Sequence, residues 1–407
     1  MEQNMVTQVI LPRILQIGEG ASQQLPQVLA SLGFSRPLII TDKMMVKLGY
    51  TQTIQDCLAA SGLSADVFDD TVPEPTVSSI QAGVAKVRDG DYDSIIALGG
   101  GSPIDSAKAI SILGKFGGVM RDYRFPRIVN ELGLPIIAIP TTAGTGSEVT
   151  KVTIITDESN DEKMLCVGVG FMPLAALVDF NLTLSLPKRT TADTGIDALT
   201  HAMEAYVSQK ASVYTDAQAI AAMRLIGPNL RRAFHDGTDK QARELVMLGS
   251  TLAGIAFSNA SVALVHGMSR PIGAAFHVPH GLSNAMLLPA VTEFSIPAAA
   301  ERYADCARAM GVASEQDSTD VANSKLMAEL YALNDELEVP TPELFGIDRD
   351  EFFRLLPTMA EQALQSGSPG KNPVYPVPMR LSSFTKSSGK AGNPTTFLIE
   401  TTLTRAA

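Results

Sequence analysis

Asp197 and His201 lie four residues apart in the segment 194–206, whose residue pattern predicts a helix. Residues at this spacing project from one face of a helix, so both side chains can reach the same ion. His266 and His280 are fourteen residues apart, and the prolines and glycine between them predict a helix followed by a turn. One carboxylate oxygen with imidazole nitrogens suits Fe(II), Zn, Mn, Co or Ni rather than Ca or Mg. The sequence therefore predicts a redox-capable or Lewis-acid metal site.

The same histidines also have a purely structural interpretation, because a buried histidine is more often a satisfied core residue than a metal ligand. The stretches 262–266 and 276–280 place imidazoles where a core helix favours leucine. Buried imidazoles need polar partners. The concentration of such groups in apolar helices rich in small residues favours the metal site.

The composition narrows the class of protein. A chain of 407 residues exceeds one ordinary core, so two domains are expected. The net charge of −11 and the pI of about 5.0 argue against a surface that binds nucleic acid or an anionic membrane. Three scattered cysteines predict reduced thiols. The N-terminal residues lack a basic start, and no run approaches the ~18 to 20 apolar residues of a membrane span. We therefore expect a cytoplasmic protein.

The pattern of apolar residues changes once along the chain. Up to about Pro187, short β-branched runs alternate with amphipathic stretches such as 80–88, a pattern that predicts a parallel sheet flanked by helices. The β-branched runs are 37–42, 94–98, 134–139 and 174–179. From Thr191 onward the periodicity is helical. We therefore predict an α/β domain in residues 1–187 and an all-α domain, carrying the metal site, in residues 188–407.

The first predicted domain contains a glycine loop, Gly99, Gly100 and Gly101, between a strand and a helix. Ser102 and Asp105 have the spacing of a helix N-cap and its capping box. Glycines let the backbone approach a ligand closely, and the free N–H groups of a helix N-terminus attract a pyrophosphate. The alternative is a tight turn without a ligand, because the loop lacks the usual G-x-G-x-x-G pattern.

A second loop follows the predicted strand 134–139 and adds hydroxyl groups beside flexible glycines. Its hydroxyl donors are Thr141, Thr142, Thr145 and Ser147. Two such loops at the carboxyl ends of parallel strands predict a dinucleotide site in the crevice of the sheet. The α/β domain is therefore predicted to bind a nucleotide.

Asp42 ends the predicted strand 37–42 and has two interpretations. As an acceptor for the ribose hydroxyls of adenosine it would repel a 2′-phosphate and favour NAD over NADP. As a plain N-cap for the helix that follows, it would have no role in binding.

Four segments together resemble the iron-containing, group III, alcohol dehydrogenases over residues 8–375, in the family's order and spacing. These segments are 99–105, 140–148, 195–206 and 266–281. The resemblance implies an α/β domain with a helical domain, an architecture shared with dehydroquinate synthases, and assembly as homodimers or larger homo-oligomers. It implies that both loops hold NAD, or less favourably NADP, and that Lys163 lies near the nicotinamide. It further implies a ferrous ion, with zinc as an alternative, held by Asp197, His201, His266 and His280.

The sequence departs from that family at two positions near the ligands. Arg270 stands where many members carry a histidine, and His277 stands where many carry Asp or Asn. Arg270 shares a helix face with His266, so its guanidinium either clamps a carboxylate, sulfonate or phosphonate of the substrate or pairs with a neighbouring acid. His277 either relays a proton from the metal site or is a surface or supporting histidine.

The end of the chain also departs from the family. Residues 377–407 are polar and low in helical periodicity, where the family closes with an amphipathic helix. We interpret this segment as an atypical tail: a variant ending, a disordered extension or the product of a shifted reading frame.

Taken together, the motifs predict a metal-dependent, NAD(P)-linked alcohol dehydrogenase or aldehyde reductase that acts on a small alcohol or aldehyde. One alternative is a lyase of related fold that uses NAD and a metal transiently on a sugar phosphate. Such a lyase needs many Lys and Arg near the metal, and only Arg270 and Lys163 stand near the motifs. The other alternative is a silent NAD-binding regulator, which would be expected to have lost metal ligands.

Overall fold

The computed structural model describes residues 6–374, so the interpretation of the tail at 377–407 lies outside the described residues. A six-stranded parallel sheet and an antiparallel hairpin form the first half of the fold. The strands are β1 (Ile14–Ile17), β2 (Pro37–Ile40), β3 (Asp66–Phe68), β4 (Ser94–Gly99), β5 (Ile136–Pro140), β6 (Val152–Asp157), β7 (Glu162–Val167) and β8 (Ala175–Val178). The sheet order is β1-β8-β5-β4-β2-β3, and β6 pairs with β7.

Helices cover both faces of this sheet and then continue alone. They are α1 (Leu25–Leu32), α2 (Lys43–Lys47), α3 (Tyr50–Ala59), α4 (Gln81–Asp89), α5 (Gly101–Phe116), α6 (Lys188–Val207), α7 (Val213–His235), α8 (Lys240–Ala260), α9 (Leu264–Phe276), α10 (His280–Ser295), α11 (Ala300–Ala309), α12 (Thr319–Glu336), α13 (Pro342–Phe345) and α14 (Arg349–Gln365). The predicted fold class, an α/β half with a parallel sheet followed by a helical half, is confirmed. The division at 187/188 into two domains stays a prediction.

The four predicted β-branched runs form the middle of the sheet. Every residue of β2, β4, β5 and β8 is buried, because helices pack on both faces of these strands. This two-sided burial explains why the runs are continuously apolar instead of alternating. The edge strands β1 and β3 and the β6–β7 hairpin are partly exposed, and their weaker patterns did not lead to a prediction.

The sheet reverses its winding direction between β2 and β4. The chain proceeds outward from β2 to β3, and from β4 it continues on the other side to β5. Ligands of open α/β sheets bind at such a point, outside the carboxyl ends of the strands. Thr41 follows β2 there and donates from Oγ1 to the carbonyl of Leu98 at 2.8 Å, which fixes the two strand ends beside each other.

The helical half is organised around α6, which is buried from Gly195 to Val207 and packs against α7, α8 and α10. A Cβ on Gly281 at the start of α10 would lie 2.4 Å from the carbonyl oxygen of Asp193 on α6. Only glycine therefore permits this close approach of the two helices. Among residues 6–374, no single helix has both the length and the apolar character needed to cross a membrane, although α8 and α9 pass that test as a pair bent by 101°.

The predicted start of α5 is wrong. The helix begins at Gly101 with Gly100 as its N-cap, and no side chain caps it. Ser102 instead accepts from the backbone N–H of Glu74 at 3.2 Å, and Asp105 bonds outside the helix. The capping pattern is local, whereas the bonds that replace it come from other parts of the fold and satisfy both side chains.

Candidate metal centre and cofactor cleft

The four predicted metal ligands converge in the helical half. Asp197 and His201 come from α6, His266 from α9 and His280 from the first turn of α10. Asp197 Oδ1 lies 3.4 Å from His266 Nε2, 3.7 Å from His280 Nε2 and 4.0 Å from His201 Nε2. One ligand atom from each residue lies within 4.8 Å of every other. Donor atoms around a tetrahedral ion with bonds of about 2.1 Å are about 3.4 Å apart, so the arrangement fits a divalent metal.

The electrostatics of the cluster also fit a cation. Burial would raise the pKa of Asp197, but the neighbouring imidazoles hold it below its usual range, so this carboxyl is ionised. Burial lowers the pKa of His201 to about 4 and that of His280 to about 3, so both present neutral nitrogen lone pairs at pH 7. Burial opposes the charge of His266 as well, yet hydrogen bonds to Asp197 and Glu204 raise its pKa overall.

Glu204, one turn beyond His201 on α6, orients His266 and was missed at the sequence level. Its carboxylate lies 2.6 Å from His266 Nδ1 and accepts from the backbone N–H of Val265 at 2.6 Å. A carboxylate on Nδ1 fixes the tautomer that leaves Nε2 for a metal. The signal was available, because Asp197, His201 and Glu204 share one face at spacings of four and three residues.

Asn284 is a second residue that the sequence did not single out. It lies one turn after His280 on α10 and is fully buried. Its Nδ2 donates to Asp197 Oδ1 at 2.6 Å and lies 3.1 Å from His266 Nε2 and 3.3 Å from His280 Nε2. The amide therefore holds the carboxylate in place beside the imidazoles.

A cavity of about 740 Å³ connects this cluster with the predicted cofactor loops. All four predicted metal ligands line it, together with seven of the other predicted residues. These seven are Gly101, Ser102, Asp105, Thr145, Ser147, Lys163 and Arg270. The metal donors and the start of α5 thus face one space, which can hold a substrate and the reactive end of a cofactor together.

The two predicted cofactor loops interlock at the carboxyl ends of β4 and β5. Thr141 donates its backbone N–H to the carbonyl of Gly99 at 2.9 Å. A Cβ on Gly100 would lie 3.1 Å from Thr142 Cγ2, and one on Gly101 would lie 2.8 Å from Thr145 Cγ2. The glycines therefore have a packing role in addition to any ligand, while Gly99, Gly100, Thr141 and Thr142 do not line the 740 Å³ cavity.

Asp105 and Lys108 anchor the second loop to α5 from inside the protein. Asp105 accepts from Ser147 Oγ at 2.6 Å and from the backbone N–H of Ile154 at 2.9 Å. Lys108 is fully buried, and its Nζ donates to Ser147 Oγ at 2.9 Å and to the carbonyl of Val152 at 2.7 Å. Burial raises the pKa of Asp105 and lowers that of Lys108 to about 8. The sequence missed Lys108, because a lysine in a helix normally points to solvent.

Asp42 acts as the N-cap of α2. Its Oδ1 accepts from the backbone N–H of Met45 at 2.9 Å, which is the plainer of its two interpretations. Only Oδ1 takes part in the cap. Asp42 follows β2 at the point where the sheet reverses its winding, which is where ligands of such sheets bind. Its Oδ2 takes no part in the cap, so this oxygen is available for the predicted contact with a ribose.

Lys163, on β7, enters the cavity from the hairpin. Its Nζ lies 2.8 Å from Glu74 Oε1 and 3.0 Å from the position of a Cβ on Gly273 of α9. Burial is the largest of the effects that lower the pKa of His280, and the positive charge of Lys163 lowers this pKa further. Lys163 and His280 also line the same cavity.

The structure separates the two residues at which the sequence departs from the family. Arg270 is buried beside the cavity, and its Nη1 donates to Ser368 Oγ at 3.0 Å. The ion pair proposed for it is absent, since no carboxylate lies within 4.0 Å of Arg270 in the described chain. His277 is exposed at the left-handed end of α9 and does not line the cavity. The role of His277 as a proton relay stays a prediction, and among the described residues this side chain has no direct contact with the cavity that contains the metal ligands.

Comparison with known proteins agrees with this geometry. Residues 12–180 match the family model described as iron-containing alcohol dehydrogenase, and residues 191–380 match that of the C-terminal part of the Fe-containing alcohol dehydrogenase family. The chain is 42% identical over 346 residues to long-chain-alcohol dehydrogenase 1 of Geobacillus thermodenitrificans, covering 84% of this chain and 87% of that protein.

Two solved structures share the fold. A 1,3-propanediol oxidoreductase superposes with a TM-score of 0.87 at 35% identity and covers 91% of this chain and 96% of its own. A sulfoacetaldehyde reductase from Bifidobacterium kashiwanohense, solved in complex with NAD+, superposes with a TM-score of 0.81 at 27% identity and covers 91% of this chain and 95% of its own.

We expect Glu204→Gln to weaken metal binding about 10- to 100-fold, because the amide no longer accepts the Nδ1–H of His266 with a full charge. The measurement is the dissociation constant for Zn(II) and Fe(II), obtained by competition with a chromophoric chelator. Glu293→Gln, at an exposed position of α10, is the matched control and should leave both constants unchanged. Equal metal affinity of Glu204→Gln and the parent would remove Glu204 from the site.

Metal binding should release a proton at pH values below the pKa of His266, because that imidazole is then protonated in the metal-free protein, and its hydrogen bonds to Asp197 and Glu204 raise this pKa above its ordinary value. Apparent affinity should therefore fall by about tenfold per pH unit below that pKa and level off above it. Calorimetric titration with Zn(II) in buffers of different ionisation enthalpy measures the proton count directly. A count of zero at all pH values between about 6 and 8 would contradict this assignment.

Proposed function

The chain belongs to the iron-containing alcohol dehydrogenase family, and on that premise we propose that it transfers hydride between a small alcohol or aldehyde and a nicotinamide dinucleotide. The observation that carries the proposal is the shared cavity, lined both by the cluster of one carboxylate and three imidazoles and by the start of α5. The cavity can therefore bring a substrate at the metal cluster next to the reactive end of a cofactor.

We assign the metal to Asp197, His201, His266 and His280, with Fe(II) as the resident ion and Zn(II) as the alternative. A metal held there supplies Lewis acidity, which lowers the pKa of an alcohol hydroxyl or polarises a carbonyl. Asp197 contributes the negative charge that retains the ion, and Glu204 and Asn284 keep the ligand atoms pointed at one position. Asp197, His201 and His266 are buried among the surrounding helices, and His280, whose side chain is 30% exposed, lines the cavity that would admit the substrate.

We propose that the cofactor is NAD and that NADP is less favoured. The free N–H groups at the start of α5 suit a pyrophosphate, and the related sulfoacetaldehyde reductase was solved with NAD+. Lys163 lines the same cavity as the start of α5 and the metal cluster, and we propose that it contacts the nicotinamide end. Asp42 would accept from the adenosine ribose through the oxygen that the cap leaves free. The hydride chemistry itself belongs to the cofactor.

The family matches argue against one alternative function, and the cluster of ligand residues argues against the other. A sugar-phosphate lyase is disfavoured because both halves of the chain match alcohol dehydrogenase models. A silent regulator is disfavoured because all four ligand residues are present and converge. By analogy with the family we also propose assembly as a homodimer or larger homo-oligomer and a cytoplasmic location.

Replacing a metal ligand should abolish turnover while leaving NAD binding intact. We expect His266→Ala and Asp197→Ala to lose at least about 1,000-fold in kcat, because the Lewis acidity that a metal held by these residues would supply is lost. NADH formation is measured with a panel of alcohols after Fe(II) loading, and NADH binding is measured by fluorescence. His235→Ala is the control, since that exposed histidine pairs with Glu336 on the protein surface. Near-normal rates of a ligand variant in the presence of a chelator would overturn the metal mechanism.

Asp42→Asn should narrow the preference for NAD over NADP. The amide retains an oxygen for the cap of α2 but removes the charge that would repel a 2′-phosphate. We expect the ratio of kcat/KM for NAD to that for NADP to fall by about 10-fold, a change of about 1.4 kcal/mol. Asp239→Asn, at the N-cap of α8, is the matched control and should leave the ratio unchanged. An unaltered ratio in Asp42→Asn would reduce Asp42 to a helix cap.

A further inference from the structure

The wall of the 740 Å³ cavity carries positive charges that have no acidic partner. In a chain of net charge −11, this wall includes Arg270, Lys151, Lys210 and Lys371. No carboxylate lies within 4.0 Å of any of these four cations anywhere in residues 6–374. Their concentration at one cavity is therefore not explained by ion pairing within the protein.

The acidic residues of the same wall are already engaged. Asp197 belongs to the metal cluster, and Asp105 accepts from Ser147 and Ile154. Glu74 pairs with Lys163 at 2.8 Å. The charge left over in the cavity is positive, so the wall attracts anions and repels cations.

Arg270 is the most constrained of the four cations. It is 8% exposed, and only Nη1 has a hydrogen bond, to Ser368 Oγ at 3.0 Å. Its Nε is buried without any partner. Burial lowers the pKa of Arg270 to about 10, and the nearby charge of Glu204 opposes that shift, so the group stays charged at pH 7. A buried guanidinium that is not hydrogen-bonded to a counter-ion is unfavourable, and a bound anion would offset that cost.

Arg270 is also close to the position of the chemistry. It lies one helical turn after His266 on α9, about 6 Å further along the helix axis. A group bound by Arg270 is therefore a few bonds away from an oxygen at the metal cluster. Lys210 is exposed and Lys151 and Lys371 are half-buried, so these three lie nearer to solvent than Arg270.

We propose that Arg270 binds the anionic group of the substrate, and that the substrate is a short alcohol or aldehyde of about two to four carbons carrying a carboxylate, sulfonate or phosphonate. The proposal rests on the proposed dehydrogenase function and specifies its substrate class. The planar guanidinium forms paired hydrogen bonds with such groups, while Lys151, Lys210 and Lys371 raise the local concentration of anions. Ser368, which lines the same cavity, accepts from Nη1 and so helps to orient the guanidinium.

The apolar part of the same wall offers the competing occupant. Phe125, Ile128, Leu165, Phe257 and Val262 also line the cavity and would accept a neutral alcohol with a longer hydrocarbon chain. That occupant leaves Arg270 without a counter-ion, which is why the charged substrate is preferred.

The test compares 4-oxobutanoate with its methyl ester, two aldehydes that share a chain and differ in charge. We expect the Fe(II)-loaded parent to prefer 4-oxobutanoate, and Arg270→Met to lose at least about 10-fold in kcat/KM on 4-oxobutanoate relative to the ester, mainly through KM. The KM for NADH should not change. Arg36→Met is the matched control, because that arginine is 56% exposed and pairs with Asp91 far from the cavity. Arg270→Lys keeps the charge without the planar fork, so it should show the same anion-specific loss to a smaller degree.

Equal losses on both aldehydes, or a parent that prefers the ester, would overturn the proposal. A rise in KM for NADH that accompanies equal losses would assign Arg270 to the cofactor instead. A second measurement is independent of turnover: calorimetric titration of the parent with malonate should show binding that Arg270→Met lacks, and identical heats in both would overturn the anion site. If the parent binds malonate yet reduces neither aldehyde, the proposed dehydrogenase function fails while the anion site stands.

Discussion

A carboxylate buried in the helical half sets the main constraint on this structure. Asp197 is 1% exposed and lies in the middle of α6, where an ionised group needs compensating positive charge or hydrogen-bond donors. Asn284 from α10 donates to Asp197 at 2.6 Å, His266 from α9 is hydrogen-bonded to it, and the neutral imidazoles of His201 from α6 and His280 from α10 lie within 4.0 Å of it. Gly281 lets α10 approach α6 closely enough for this, and the ring of His201 is held between Phe257 at 4.1 Å and His266 at 4.4 Å. The same contacts between α6, α9 and α10 therefore pack the helical half and bring the candidate metal ligands together.

The second constraint joins the metal centre to the sheet. The loop after β5 touches α8 backbone to backbone, since a Cβ on Gly146 would lie 2.6 Å from Gly254 Cα. Next to this contact, Thr251 donates to Glu148 Oε1 at 2.9 Å, and burial raises the pKa of Glu148. The position of the cofactor loop relative to the helices therefore depends on packed backbone and buried hydrogen bonds. Reaction geometry tolerates errors of only a few tenths of an ångström, so such support matters for hydride transfer.

The cavity between the two halves combines these constraints with an unbalanced charge. Its three acids, Glu74, Asp105 and Asp197, have partners within the protein, whereas Arg270, Lys151, Lys210 and Lys371 have no carboxylate within 4.0 Å in the described residues. Arg270 is the clearest case, because it is buried and no carboxylate of the described residues lies within 4.0 Å of it. The proposed substrate class depends on Arg270, which departs from the family pattern inside the segment 266–281, whereas the metal ligands of that segment follow the pattern.

The sequence by itself determined the chemistry of the ligands and the class of the fold. Donor type is a property of single residues, the spacing of Asp197 and His201 places both on one helix face, and unbroken β-branched runs identify strands buried on two sides. Tertiary structure alone decided the partners: Asp105 bonds to Ser147 instead of capping α5, Lys108 is buried against the 147–152 segment, Glu204 orients His266, and Arg270 lacks the acid that the sequence allowed it. These partners are about 40 to 60 residues apart in sequence, so packing of distant elements selects them and no local pattern encodes them.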